Sequence, residues 1–88
     1  MTDAVLSTVT VQVLLFASYA EALGQERLEL SLPEPATIAD VLSQLRSLPG
    51  GDRLPSKPLC ALNLSQAQPD TAVRAGDELA ILPPLAGG

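Results

Sequence analysis

Gly87 and Gly88, the last two residues of the sequence, are the residues whose type and position most directly suggest chemistry. Neither carries a Cβ, so the pair can pass through a channel too narrow for a side chain and can adopt backbone angles closed to other residues. A free end here would be a carboxylate on an unhindered methylene group. Because a carboxylate is a poor electrophile, another enzyme would first have to convert it into a mixed anhydride. The pair is therefore either an unselected end or backbone that another protein handles.

Side chains for self-contained catalysis are scarce in the rest of the sequence. There is no histidine, which removes the usual acid–base group and the commonest metal ligand, and no spacing of residues suggests a metal site. Asp77 and Glu78 are adjacent but precede a predicted strand, where neighbouring side chains point to opposite faces, so we predict turn and solvent roles. Lys57, the single lysine, is predicted to be a solvated loop residue. Cys60, the single cysteine, lies in an apolar run and is predicted to be an inert core thiol in a protein of a reducing compartment.

Charge and hydropathy disfavour two classes of binding partner, nucleic acids and membranes. Ten acidic residues against five scattered basic ones give a net charge of −5, which disfavours nucleic-acid binding. The first residues include an aspartate and no basic residue before the apolar stretch, unlike a signal peptide. No stretch approaches the length of a membrane span. We expect a cytoplasmic protein that binds neither nucleic acid nor membrane.

The first half of the sequence predicts a strand, a short helix and a second strand. Residues 8–17 are rich in β-branched residues, and their apolar end suggests a strand buried on both faces. Ser18 and Glu21 have the spacing of a capping box, and Gly24 suits the end of a short helix. The segment ERLELSL then alternates leucines with polar residues, as in a half-exposed strand.

The strongest helix signal is TIADVLSQLRSL, residues 37–48. Thr37 and Asp40 have capping-box spacing, and an aspartate in the first turn also favours the helix dipole. The apolar residues form one stripe at helical spacing, which predicts the face that packs on a sheet: they are Ile38, Val41, Leu42, Leu45 and Leu48.

The second half predicts two more strands separated by turns. The segment PGGDRLPSKP is predicted to be a solvated connector, LCALNL a strand, residues 65–77 a turn-rich piece, and ELAILPP a closing strand ended by its prolines. One amphipathic helix against one sheet, with the apolar first and last strands side by side, indicates an α+β β-grasp fold. We expect a mixed, ubiquitin-like sheet packed on one main helix in a single domain over residues 1–88, with a flexible C-terminal tail at residues 83–88.

Several of these segments together resemble the small subunit of molybdopterin synthase, a ubiquitin-like sulfur carrier. The similarity extends from about Val9 and includes VLLFASYAEALG, TIADVLSQL and Ala61-Leu62-Asn63. Its most specific part is GDELAILPPLAGG, residues 76–88. Two departures concern surfaces that contact partners: Ala20 replaces a commonly basic residue, and the loop at residues 49–58 is individual.

The resemblance implies that the carboxylate of Gly88 is adenylated with ATP by a ubiquitin-activating-type enzyme and converted by a sulfur donor into a thiocarboxylate. It also implies that Gly87 and Gly88 enter the active site of the large synthase subunit and deliver sulfur to a cyclic pterin phosphate. Two such deliveries build the dithiolene of molybdopterin. The family assembles as a heterotetramer of two small and two large subunits. This chain is then expected to bind no cofactor, because ATP is used by the activating partner.

Contact with the large subunit is expected from an apolar surface beside the tail. For Phe16, core packing is the alternative. Leu85 follows the prolines and is harder to explain as a core residue. The predicted partner-binding residues are Phe16, Leu82, Pro83, Pro84, Leu85 and Ala86.

Three alternatives stay open at the level of sequence. A sulfur carrier for thiamin biosynthesis shares the fold and the Gly-Gly ending, although that family is usually shorter. A ubiquitin-like modifier would join Gly88 to lysines of target proteins through an isopeptide bond. A β-grasp interaction module with an idle tail would keep its function after deletion of Gly87 and Gly88.

Overall fold

The computed structural model of the protein describes residues 7–55 and 57–84. Seven strands and two α-helices, with a short 3-10 turn at Gly51–Arg53, form this part of the chain. In chain order the elements are β1 (Thr8–Leu15), α1 (Ala17–Leu23), β2 (Arg27–Pro33), β3 (Ala36–Thr37), α2 (Ile38–Ser47), β4 (Leu59–Leu62), β5 (Ser65–Ala67), β6 (Ala72–Val73) and β7 (Glu78–Leu82).

Five strands form a mixed sheet in the order β2-β1-β7-β4-β5. The first and last strands, β1 and β7, pair in parallel at its centre, as the sequence predicts, and the other neighbours are antiparallel. The short strands β3 and β6 form a separate two-stranded sheet. The architecture is the predicted β-grasp.

The core lies between one face of the five-stranded sheet and α2. Val11 and Val13 of β1 and Leu79 and Ile81 of β7 are fully buried. Of the predicted α2 stripe, Leu48 is only half-buried at the C-cap of the helix, whereas the other four residues are buried as predicted: Ile38, Val41, Leu42 and Leu45. Each such side chain contributes about 1.5–3 kcal/mol by leaving water. The predicted capping box is also present: the Asp40 amide donates to Thr37 Oγ1, and the Thr37 amide donates to Asp40 Oδ2.

The prediction of a capping box at Ser18 and Glu21 is wrong. The N-cap of α1 is Phe16, without a side-chain hydrogen bond, so Ser18 already lies within the first turn. Its hydroxyl cannot cap a helix that begins before it. The predicted end of α1 is confirmed: Gly24 has φ 77° and its amide donates to the Ala20 carbonyl.

The connector after α2 is less solvated than predicted. Gly51 is buried, and a Cβ placed on it would overlap the Leu45 carbonyl oxygen. Gly50 has φ 86°, and a Cβ there would overlap the carbonyl oxygen of Ala22. The two glycines therefore allow the connector backbone to pack directly against the ends of both helices.

Two further predictions in the second half need correction. The strand predicted over LCALNL ends at Leu62, because Asn63 and Leu64 form a tight turn into β5. The segment predicted to be only turn-rich contains two short strands, β5 and β6. Both strands are two or three residues long, which leaves too few residues for a recognisable alternation pattern.

Candidate docking surface and carrier tail

The tail predicted to carry the chemistry is reached through Pro83 and Pro84. These prolines directly follow β7, so the chain leaves from the middle of the sheet. Leu82 and Pro83 are half-buried and Pro84 is exposed. The other predicted tail residues lie outside the described residues: Leu85, Ala86, Gly87 and Gly88.

An apolar row crosses three neighbouring strands where the tail begins. Leu59 of β4 pairs with Leu82 of β7, and Phe16 continues the β1–β7 register one residue past the pair of Leu15 and Ile81. The row lies on the face of the sheet opposite the core, since Cys60 and Ile81, the next residues along, are buried. Phe16 and Leu59 are each 44% exposed. The predicted residues Phe16 and Leu82 are thus brought together, and Leu59 joins them.

A second apolar row lies beside the first on the same outer face. Leu14 pairs with Ala80, and Ala80 pairs with Ala61, and all three are half-buried. The prediction that the apolar end of β1 is covered on both faces is therefore wrong, because only the α2 side is fully covered. We call this surface the outer patch: Leu14, Phe16, Leu59, Ala61, Ala80 and Leu82.

Polar and acidic side chains bound the outer patch on the side away from the tail. Gln12 pairs with Glu29 on one side and with Glu78 on the other, and its side-chain amide donates to Glu29. Thr10 and Ser31 continue the polar region with a hydroxyl–hydroxyl hydrogen bond of 3.0 Å. The outer face thus has an apolar half beside the tail and a polar half at the opposite end.

Backbone geometry at the junction of β1 and α1 keeps Phe16 on this face. Phe16 itself is extended, and the turn into the helix is made at Ala17, with φ 50°. A left-handed alanine costs of order 1–3 kcal/mol. The junction therefore holds the ring at the surface despite local strain, and nothing in the amino-acid pattern signals this conformation.

The far end of the patch is fixed by the turn between β4 and β5. The Asn63 amide donates to the Glu78 carbonyl (2.8 Å), and the Glu78 amide donates to Asn63 Oδ1 (3.0 Å). Asn63 Nδ2 also donates to Asp77 Oδ1 (3.0 Å), while Asp77 Oδ2 accepts from the Arg74 amide (2.8 Å). Asp77 has the predicted turn role, because its carboxylate organises backbone.

A groove of about 500 Å³ adjoins the row on the β5 side. Tyr19, Leu59, Pro84 and Lys57 are among its lining residues. Lys57 is exposed there, as predicted for a solvated loop residue. The groove places the single lysine near the root of the tail.

The structure also places the remaining residues that the sequence offered as candidates for chemistry. Cys60 is 3% exposed, and burial raises the pKa of its thiol to about 11, so its predicted core position is confirmed. Over residues 7–55 and 57–84 there is no group of three or more potential metal ligands. No helix among these residues is long and apolar enough to cross a membrane.

Sequence reasoning missed four of the six residues of the outer patch. Leu14, Leu59, Ala61 and Ala80 alternate with buried residues, but their shared face becomes apparent only when the register of β1, β7 and β4 is known. The alternation alone could have predicted which residues of each strand point outward. It could not show that these residues adjoin, because neighbours in a sheet are distant in sequence.

Comparisons with known proteins match this chain to one family and to relatives that share one name. The sequence profile of the ThiS family matches residues 13–88. The molybdopterin synthase sulfur carrier subunit of Arabidopsis thaliana is 36% identical over 83 residues, covering 93% of this chain and 86% of the plant protein. The protein of that name from Drosophila erecta is 37% identical over 83 residues, covering 91% of this chain and 92% of the fly protein.

Solved structures agree on the fold. SAMP1 from Haloferax volcanii superposes with a TM-score of 0.77 and 30% identity, covering 90% of this chain and 99% of the archaeal one. A chain from the complex of subunits 1 and 2 of molybdopterin-converting factor from Helicobacter pylori gives a TM-score of 0.66 over 91% of this chain and 100% of its own. Its identity is 21%, so this second likeness shows the fold alone.

Proposed function

The chain belongs to the ThiS family, and on that premise we propose that it is the sulfur carrier subunit of a molybdopterin synthase, acting in the cytoplasm. The proposal rests on how much of the chain matches the family and the named relatives. The family profile runs through Gly88, and relatives that bear this name are about as long as the chain. The same relatives favour the pterin pathway over thiamin biosynthesis.

In the proposed cycle Gly88 is the reacting residue. Its carboxylate attacks ATP on an activating enzyme, so that an acyl-adenylate forms and pyrophosphate leaves. A hydrosulfide equivalent from a sulfur donor then attacks the acyl carbon and displaces AMP, which leaves a thiocarboxylate. In the large subunit the thiocarboxylate sulfur attacks a side-chain carbon of the cyclic pterin phosphate and displaces an oxygen substituent from that carbon. Hydrolysis of the resulting thioester breaks the acyl–sulfur bond, which leaves the sulfur on the pterin and returns the carboxylate. Two deliveries complete the dithiolene.

The structure suits a carrier that leaves catalysis to its partners. In the described residues the one thiol is buried and its pKa is raised, and the Asp77 carboxylate is held in a turn by the Asn63 side-chain amide and the Arg74 backbone amide. The outer patch offers apolar surface directly at the root of the tail. We propose that the large subunit docks on this patch while Gly87 and Gly88 extend into its active site, within an assembly of two small and two large subunits.

The test is the intact mass of the protein after incubation with ATP, the activating enzyme of the same organism and a sulfide source. We expect a gain equal to replacing one oxygen by one sulfur, and fragmentation should locate it at Gly88. A variant lacking Gly87 and Gly88 is the matched control and should not change. An unchanged wild-type mass, with the activating enzyme active on a known carrier, would contradict the proposal.

A second candidate is a ubiquitin-like modifier, favoured by the 30% identity to SAMP1, the short name of the small archaeal modifier protein 1. Both functions begin with adenylation of Gly88 and differ in the nucleophile that follows. Lysine adducts that carry a C-terminal Gly-Gly remnant of this chain, recovered from cells, would favour the modifier. Their absence, together with a thiocarboxylate on the protein from cells, would favour the sulfur carrier.

A further inference from the structure

Leu64 stands at the tip of the β4–β5 hairpin and is 92% exposed. It is far more exposed than Phe16 or Leu59, which are each 44% exposed. A single exposed leucine is common on protein surfaces and by itself needs no explanation. The backbone conformation of this leucine, however, is also unfavourable, independently of its exposure.

The turn at Asn63 and Leu64 is a two-residue hairpin in which both residues have positive φ, 50° and 75°. This geometry is that of a type I′ turn, in which asparagine is favoured and glycine is the usual second residue. Leucine has a Cβ and a branched side chain, so it is disfavoured at φ 75°. Stability and solubility would both be served by a different residue at this position.

The platform under Leu64 is rigid. Asn63 is tied to the start of β7 by two backbone-directed hydrogen bonds and to Asp77 Oδ1 by its side-chain amide. Asp77 is held in turn by the Arg74 amide. A leucine on such a turn loses little additional backbone entropy when it binds, which is the property expected of a docking anchor.

Chemistry around the turn restricts what can bind there. Asp77 and Glu78 adjoin Asn63, and Glu29 lies two strands from Glu78 across Gln12. A complementary surface would therefore have an apolar pocket for the leucine and basic side chains at its rim. A second acidic surface would be repelled.

The position of Leu64 relative to the tail favours one partner. The turn is at the opposite end of β7 from Leu82, about 13 Å away at 3.3 Å per residue. An interface of standard size, about 800 Å² on each partner, is wide enough to include both the tail root and this turn. A partner that holds the carrier as a subunit of a stable complex is expected to bury such an area.

We propose that Leu64 is a second docking anchor for the large synthase subunit, which accepts it in an apolar pocket rimmed by basic side chains. The identity of this partner rests on the proposed function. The anchor lies away from the tail, so it allows the carrier to distinguish the large subunit from the activating enzyme, although both must handle Gly88.

The test compares three full-length variants with the wild type: Leu64→Asn, Leu64→Gly and Leu64→Met. Asparagine and glycine suit the left-handed conformation, so their thermal midpoints should equal or exceed that of the wild type. Their Kd for the purified large subunit should nevertheless rise about tenfold, as for a truncated interface anchor. Leu64→Met keeps an apolar side chain and should retain most of the affinity. Adenylation by the activating enzyme should be unchanged in all three.

Two results would overturn the anchor while leaving the proposed function intact. One is equal binding of the large subunit by the wild type and by Leu64→Asn. The other is a loss that appears in adenylation instead of in subunit binding, which would assign Leu64 to the activating enzyme. If the wild type neither binds the large subunit nor acquires sulfur, the proposed function fails and the anchor fails with it.

Discussion

Leu59 and Leu82 are paired across the antiparallel strands β4 and β7, directly before the prolines that begin the tail. Their side chains lie on the face of the sheet opposite α2, and Phe16, the residue directly after β1, extends the row. The strand that leads into the tail therefore also supplies the centre of the proposed docking surface. A partner seated on this row is positioned at the root of the tail.

Leu59→Asp should weaken binding of the large subunit by tenfold or more, because it places a charge in the middle of the apolar row. The side chain is 44% exposed, so the folded chain should lose little stability. Ser43→Asp adds the same charge on an exposed position of α2 and serves as the matched control. Calorimetric titration of both variants with the large subunit checks the prediction, and equal affinities would remove the row from the interface.

Thr37→Ala should lower the free energy of unfolding by about 1 kcal/mol, the usual cost of losing an N-cap side chain. The Asp40 amide loses its acceptor, the Thr37 hydroxyl. Asp40 Oδ2 loses the hydrogen bond from that hydroxyl and keeps the one from the backbone amide of residue 37. Urea titration followed by circular dichroism measures the change. Thr37→Ser retains the hydroxyl and should stay near the wild type; an alanine variant as stable as the serine variant would show that the cap contributes nothing.

Gly51→Ala should destabilise the chain by about 1–3 kcal/mol, the range for overpacking a tight contact. Its added Cβ would overlap the Leu45 carbonyl oxygen and lie 2.8 Å from Arg46 Cα, both of which are backbone atoms that cannot rotate away. Gly76→Ala is the control, because at φ 87° it meets the left-handed penalty but no atom within 4 Å. We expect a lower thermal midpoint for Gly51→Ala than for Gly76→Ala, and the reverse order would contradict the packing explanation.

The sequence predicted well those elements whose residue pattern lies within one continuous segment. The stripe of α2 repeats over three turns, its Thr37–Asp40 cap spans four residues, and β1 and β2 have enough residues for their alternation to be recognised. The central position of β1 and β7 followed from their apolar character alone. Such features depend on periodicity, which a single sequence contains in full.

The features that sequence missed depend on contacts between distant segments. Ser18 and Glu21 satisfied a capping pattern, but the pairing of β1 with β7 continues to Leu15 and α1 begins immediately after Phe16. The turn at Asn63 was hidden because leucine occupies a position where glycine is the usual signal. The outer patch required the register of three strands. The helix start and the outer patch were thus missed because of tertiary structure, and the turn because of an unusual local residue.

The thiol of Cys60 should make the protein less stable as the pH rises from about 9 to about 11. Burial raises the pKa of this thiol from 9.0 to about 11, so over this range the unfolded chain loses the proton while the folded chain keeps it. The unfolded state then binds fewer protons, and the free energy of unfolding falls with pH. Below pH 9 the thiol is protonated in both states and has no such effect.

Cys60→Val, which has a similar volume and no titratable group, isolates this contribution from the other groups that titrate in the same range. We expect the difference in unfolding free energy between the wild type and Cys60→Val to be constant below pH 9 and to shift against the wild type between pH 9 and 11. Urea titrations at several pH values measure it. A difference that does not change with pH would mean that the folded protein exposes the thiol to solvent, and the buried thiol described for β4 would be wrong.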